Sequence, residues 1–182
     1  DHLMGEYLKI LFYERGICMF REMRRNKQSL PSDECIKILN RGTSGVLAVT
    51  GDDDYPYAVP LSYVYHDNKI YFHGAKTGHK LDAVSKNEKV SFCVIDKDQV
   101  VPDEYTTYFR SVIVFGKARI LKDEEEIRKA INILAVKYAP DHDKERRLQA
   151  IDKEYAAMSM IELSIEHMSG KEAIELVKGN EK

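Results

Sequence analysis

The stretch VPLSYVYHDNKIYFHGAKTGHK, residues 59–80, decides the fold of this chain. Its first part alternates in polarity and is rich in aromatic side chains, which predicts a β-strand over residues 55–66. Asp67 and Asn68 signal a turn, and the following KIYFHG (69–74) predicts the returning strand of a hairpin. Pro60 cannot donate to a strand ladder, so its position favours a sheet edge or a local break in the sheet.

The end of the same stretch predicts a short helix over residues 78–86. The first N–H groups of a helix are unpaired and carry positive partial charge. Gly78 lets a ligand approach the backbone closely, and Lys80 adds a compact cation that favours phosphate. With His79 as a further donor, these residues indicate an anion site for which phosphate is the natural ligand. The alternative is an ordinary glycine turn before a helix.

His73 ends the returning strand, one residue before Gly74. A histidine at this point is either a structural hydrogen-bonding residue or a catalytic one, and the residue pattern leaves both open. A metal pair of His73 with His79 lacks a third ligand at suitable spacing, so we expect no metal site.

The flanking sequence predicts further strands and several helices. Ser32 is expected to cap a helix that ends at Gly42. Strands are expected over residues 44–50, 89–96, 105–121 and 159–168. Helices are expected over residues 124–138, capped by Asp123, and 143–154. Most connections between strands are too short for the crossovers of a parallel sheet, so the pattern favours an antiparallel barrel with helical decoration.

Composition and charge narrow the functional classes. The chain has 182 residues, 43% hydrophobic and 32% charged, which suits one globular domain. A formal net charge of −2 gives no basic field for nucleic acid. There is no apolar run of about 18 residues, so no membrane span is expected. Cys18, Cys35 and Cys93 are widely spaced, which favours a reducing, cytoplasmic setting.

Residues 1–18 are set apart from the predicted domain, which comprises residues 19–182. Charged side chains interrupt their apolar run at Glu6, Lys9, Glu14 and Arg15, which makes a poor core for a signal peptide. This N-terminal extension is either a short amphipathic helix or a non-native segment upstream of Met19, and both alternatives stay open.

Five segments together carry a family resemblance: RGTSGVLAV (41–49), PYAVPLSYVYHDNKIYFHGAKTGHKLDAV (56–84), VSFCVID (90–96), YTTYFRSVIVFGKARIL (105–121) and EHMSGKEA (166–173). They resemble the FMN-binding split-barrel superfamily, whose members are similar to pyridoxamine 5′-phosphate oxidase. Within it they are most similar to the nitroimidazole-resistance, or Nim-type, flavoprotein branch. The resemblance implies a mainly β fold with helices: a six-stranded antiparallel split β-barrel that forms a homodimer with flavin at the interface.

The resemblance also implies which residues bind FMN. The phosphate turn would comprise Gly78, His79 and Lys80, where the oxidases carry a Ser-Arg-Lys pattern. The residues expected along the flavin ring are Val59, Pro60, Leu61, Ser62, Tyr71, Phe72 and His73. The residues expected to reach the site from the neighbouring subunit or the C-terminal end are Arg110, Ser111, Gly170 and Lys171.

The function implied is that of an FMN-dependent oxidoreductase, which passes electrons from NADH or NADPH to a small acceptor such as a nitro compound. His73 is the expected catalytic residue, nearest the reacting edge, where it would protonate or orient the acceptor. Three alternatives stay open. They are a pyridoxamine 5′-phosphate oxidase-like enzyme, a haem-binding split barrel with His73, His79 or His167 as the axial ligand, and a flavin-binding protein without turnover.

Overall fold

The structure, a computed structural model, describes residues 20–179, so the predicted N-terminal extension lies outside the described residues. The strands are β1 (Ser29–Leu30), β2 (Ser44–Thr50), β3 (Pro56–Ser62), β4 (Val64–His66), β5 (Lys69–Ala75), β6 (Lys89–Val101), β7 (Thr106–Ile120) and β8 (Met158–Glu172). The α-helices are α1 (Ser32–Arg41), α2 (His79–Lys86), α3 (Glu124–Tyr138), α4 (Lys144–Tyr155) and α5 (Ile174–Gly179). No helix within residues 20–179 combines the length and apolar character needed to cross a membrane.

The strands form one antiparallel sheet in the order β3-β2-β6-β7-β8-β5-β4, with β1 paired to β8. The predicted antiparallel, mainly β architecture with helices is therefore confirmed. The two ends of this order, β3 and β4, are consecutive in the chain and are joined only by Tyr63. Eight strands occur within the described residues instead of the six expected, because the segment predicted as one strand (55–66) is divided at Tyr63 and β1 is added.

Tyr63 divides the strand because other elements take over its polar groups. Its side chain is fully buried, and its hydroxyl donates to the carbonyl of Leu39 in α1 at 2.8 Å. Its backbone N–H donates to the hydroxyl of Tyr138 in α3 at 3.0 Å, and its carbonyl lies 3.0 Å from the same hydroxyl. These bonds replace a strand ladder at the junction.

Two hydrophobic clusters cover the two faces of β5. The main core includes Phe72, whose ring meets that of Phe92 edge-on with centroids 5.0 Å apart. The second cluster contains Tyr71 and packs beneath α3 and α4 around Ile131 and Ile151. Since successive residues of a strand point to opposite faces, β5 is covered on both sides through this section.

The helix boundaries mostly follow the predictions. Asp123 caps α3 as expected, since its carboxylate accepts from the N–H of Glu126 at 2.9 Å. The prediction for Ser32 was wrong: Pro31 is the N-cap residue of α1, in an extended conformation, and Ser32 is already helical. Strand β8 runs beyond residue 168 to Glu172, because it stays paired with β7 past a bulge.

Candidate functional site

The turn between β5 and α2 centres on Gly78, whose φ of 137° and ψ of 165° favour glycine. A side chain built at this position would meet no heavy atom within 4 Å, so the space beside the backbone is open. The N–H groups of Leu81 and Asp82 both donate to the carbonyl of Gly78, at 3.0 and 3.2 Å. The N–H groups of His79 and Lys80 precede this first helical bond and give the turn positive partial charge.

Lys80 lies over Gly74 at the end of β5. A Cβ atom at Gly74 would come within 2.9 Å of Lys80 Nζ, so the glycine provides the room that this side chain occupies. The ion pairs formed within residues 20–179 do not include Lys80. Its ammonium group is therefore available to an anion at the turn.

His79 connects the turn to strand β3 and to the turn between β2 and β3. Its ring stacks on Tyr57 with centroids 4.2 Å apart and an interplanar angle of 18°. His79 Nε2 accepts from the backbone N–H of Asp52 at 3.3 Å and lies 3.8 Å from an Asp52 carboxylate oxygen. Lys86, at the other end of α2, also approaches Asp52, at 3.4 Å. His79 therefore docks α2 onto the sheet, and its Nδ1 is the nitrogen left for a ligand.

Strand β3 ends the sheet and is paired with β2 alone among the described strands. Val59 and Leu61 are half-buried against the main core, whereas Pro60 and Ser62 are exposed. The position of Pro60 fits an edge strand. Proline has no N–H to donate, and in an edge strand this loss does not interrupt hydrogen bonding between central strands. The free edge of residues 59–62 presents backbone donors and acceptors that a flat polar heterocycle can pair with.

Tyr71, Phe72 and His73 are consecutive but do not share one cavity. Phe72 is fully buried in the main core, and Tyr71 packs in the second cluster, where burial raises its pKa to about 12. His73 is exposed and lines a separate cavity beside α3 and α4. Phe72 can therefore touch a ligand only through its backbone.

Arg110, Ser111 and Lys171 lie far from the turn within one chain. Ala75, at the turn end of β5, pairs with Met158, whereas Lys171 pairs with Ser111 thirteen residues further along β8. At about 3.3 Å per residue this separation is roughly 40 Å along the strand. The structure does not bring these residues together with Gly78, His79 and Lys80 in one protomer.

Arg110 is held by acidic partners at this distant end. Its guanidinium donates to the carboxylate of Glu172 at 2.8 and 3.0 Å and lies 3.6 Å from Asp96. Asp96 also accepts two bonds of 2.6 Å from Arg41, and these bonds hold the pKa of its carboxyl below its usual range. Lys171 extends over the ring of Phe109, with Nζ 5.4 Å from the centroid.

Two features of the site could not be found from the sequence pattern. The stacking of His79 on Tyr57 joins residues that belong to different predicted elements. The cavity beside His73 is completed by Arg147 of α4, a segment whose charged composition predicts only a helix. Both features depend on tertiary packing, and neither leaves a local signal.

Comparisons with known proteins identify the family of the chain. Residues 31–172 match the pyridoxamine 5′-phosphate oxidase family. The comparison with curated proteins gives no match.

Solved structures share the fold across most of their length. A candidate 5-nitroimidazole antibiotic resistance protein of Bacteroides thetaiotaomicron is 20% identical, with a TM-score of 0.64 over 79% of this chain and 85% of that chain. An FAD-binding protein of Mesorhizobium loti is 28% identical, with a TM-score of 0.55 over 80% of this chain and 96% of that chain. A flavocytochrome of Azotobacter vinelandii is 19% identical, with a TM-score of 0.71 over 84% of this chain and 72% of that chain. With the family match reaching from the start of α1 to the end of β8, the chain belongs to the pyridoxamine 5′-phosphate oxidase family.

Proposed function

We propose that this protein is an FMN-dependent oxidoreductase that passes electrons from NADH or NADPH to a small acceptor such as a nitro compound. One observation carries the proposal: the turn at residues 78–80 is attached to both strands that would hold the cofactor. His79 stacks on Tyr57 of β3, and Lys80 lies over Gly74 of β5. These contacts support a single site that combines the proposed phosphate turn with the free edge of β3.

The residues present fit a flavin mononucleotide. The open space at Gly78, the first N–H groups of α2 and the Lys80 ammonium suit one terminal phosphate. The free edge of residues 59–62 suits the polar edge of the ring. When bound, the flavin supplies the hydride and electron transfer chemistry, while the protein binds and orients it.

His73 is proposed as the catalytic residue. It is exposed at the end of β5, next to Gly74, so an acceptor can reach its ring from solvent. An imidazole in this position can donate a proton to a reduced acceptor or orient the acceptor through a hydrogen bond. Its side chain leaves β5 on the face opposite to that of Phe72 and Gly74.

A homodimer is proposed from an apolar row on the outer face of the sheet. Val46, Cys93 and Ile113 are cross-strand neighbours on β2, β6 and β7, and Phe115 follows on the same face. Ile113 and Phe115 are 40% and 39% exposed. Burying this row against a second copy would remove its apolar surface from water. It would also allow Arg110, Ser111 and Lys171 to serve the partner's site.

An absorbance spectrum of the purified protein tests the cofactor. The two-band spectrum of an oxidised flavin supports the proposal, and release by denaturation followed by chromatography distinguishes FMN from FAD. Anaerobic addition of NADH or NADPH should then bleach the bands, and a nitro compound should restore them. A sharp haem band, or no flavin uptake on reconstitution, contradicts the proposal.

A further inference from the structure

A cavity of about 230 Å³ lies between α3, α4 and the start of β8. Its walls are mainly aliphatic, formed by Ile131, Ala135, Ile151 and Met158. Polar side chains also line it, namely those of His73, Tyr138, His142, Arg147 and Glu154. An apolar chamber with a few polar groups is the usual form of a small-molecule site.

Arg147 is the unusual member of this lining. Its Nε is buried and has no hydrogen-bond partner within residues 20–179. One of its terminal nitrogens donates to the carbonyl of His142, and no carboxylate of the described residues forms an ion pair with it. Buried polar groups in native proteins nearly always have a partner, so this N–H is a donor that lacks its acceptor.

We propose that this cavity binds a small apolar carboxylic acid, with Arg147 as the residue that recognises the carboxylate. The Arg147 side chain lines the cavity, and its planar guanidinium matches a carboxylate geometrically. The aliphatic walls would hold the body of the acid. A dry cavity of about 150 Å³ already accepts benzene, so the volume here is enough for one ring with its carboxylate.

The surrounding charges make the site selective. Glu154 lies seven residues after Arg147, on the same face of α4, and is the one carboxylate among the lining residues. It opposes a second negative charge, which favours monocarboxylic over dicarboxylic acids. His73, the proposed catalytic residue, is shared with the proposed flavin function. The other walls belong neither to the phosphate turn nor to the edge of β3, so the site goes beyond that function.

Isothermal titration calorimetry with sodium benzoate, and with benzyl alcohol as its neutral analogue, tests the proposal on the protein as purified. Benzoate should bind once per chain and more tightly than benzyl alcohol. Arg147→Gln should weaken benzoate binding about tenfold or more, as expected for loss of a charged hydrogen bond. Arg146→Gln makes the same change of charge at an exposed neighbour on α4 and should leave the affinity for benzoate unchanged. Glu154→Gln should bind benzoate at least as tightly as the unmodified protein.

Two further measurements complete the test. Methyl NMR should show benzoate-dependent shifts at Ile131, Ile151 and Met158, which places the ligand in the cavity. If Arg147→Gln does not fold, Arg147→Lys keeps the charge without the planar fork and should still bind benzoate less tightly. Three results would overturn the proposal. Benzoate does not bind, it binds the Arg147 and Arg146 variants with equal affinity, or it binds no more tightly than benzyl alcohol. These readouts do not involve flavin or turnover, so the proposed oxidoreductase function can fail or succeed independently.

Discussion

The His79 ring stacks on Tyr57 at 4.2 Å, and this contact fixes the start of α2 against the edge strand β3. The same histidine accepts a bond from the backbone of Asp52. His79 is expected to donate a hydrogen bond to phosphate, and these contacts give it a structural role as well. Lys80 has only the expected role in binding. Substitutions of the two residues should therefore give different results: loss of His79 affects both stability and cofactor binding, whereas loss of Lys80 affects binding.

Lys80→Ala should weaken FMN binding by about 1.5–3 kcal/mol, or roughly tenfold or more, because a charge-assisted contact to phosphate is lost. The affinity can be measured by the quenching of flavin fluorescence during titration. Lys86→Ala is the matched control, since Lys86 lies on the same helix but pairs with Asp52. If the Lys80 variant bound FMN with unchanged affinity, the assignment of the phosphate to this turn would be wrong.

His73→Ala should keep its flavin but transfer electrons to the acceptor more slowly. The imidazole is proposed to act on the acceptor, whereas the phosphate turn and the edge of β3 hold the cofactor. Stopped-flow measurement of flavin reoxidation by a nitro compound separates the two steps. His66→Ala removes a partly exposed histidine at the β4–β5 turn and serves as the control. Equal reoxidation rates in the two variants would show that His73 has no catalytic role.

Ile113→Lys should shift the protein from dimer to monomer, because it places a charge in the middle of the apolar row. Sedimentation velocity over a range of concentrations measures the change. Val136→Lys introduces the same side chain at a site on α3 with similar exposure, 42% against 40%, and should leave the dimer intact. A dimer that persists with Lys at position 113 would place the interface elsewhere.

Lys137 should make stability depend on pH. Burial lowers its pKa from 10.5 to about 8, while its ammonium donates to the Gly42 carbonyl and lies 4.2 Å from the centroid of the Tyr63 ring. Between these two pKa values the unfolded chain binds more protons at this site than the folded one. The contribution of Lys137 to the free energy of unfolding therefore rises as pH increases from about 8 toward 10.5.

Urea unfolding of wild type and Lys137→Met at about pH 7.5 and about pH 9.5 measures this contribution. Cys35, Cys93 and the buried tyrosines have raised pKa values, mainly because of burial, and they titrate in the opposite sense. Only the difference between the two proteins therefore isolates Lys137. Wild type should gain stability relative to the variant at the higher pH, and a constant difference would show that Lys137 is solvated when charged.

Local patterns were enough to predict much of the fold. The apolar run of residues 44–50 and the return after the Asp67-Asn68 turn predicted strands β2 and β5. The helical period after the cap residue Asp123 predicted α3 with the bounds observed. The family match confirms the resemblance read from the sequence segments. These elements could be predicted because residues close to one another in the chain are enough to specify them.

The features that were missed depend on distant residues. The break at Tyr63 is created by Tyr138, 75 residues later, so alternation across residues 55–66 cannot reveal it. The cavity at His73 depends on Arg147 in the same way. Likewise, no pattern in residues 29–30 could predict the short strand β1, because its partner lies at residues 170–171.

The junction at Tyr63 also has a consequence for folding kinetics. The bonds that join β3 to β4 come from Leu39 and Tyr138, which lie 24 and 75 residues away in the chain. Contacts of such long range form late, because the entropy of closing a long loop must be overcome before they contribute. We therefore expect the junction between β3 and β4 to be ordered only after α3 has docked. In a nascent chain the proposed flavin site beside this junction would be complete only when synthesis has passed Tyr138.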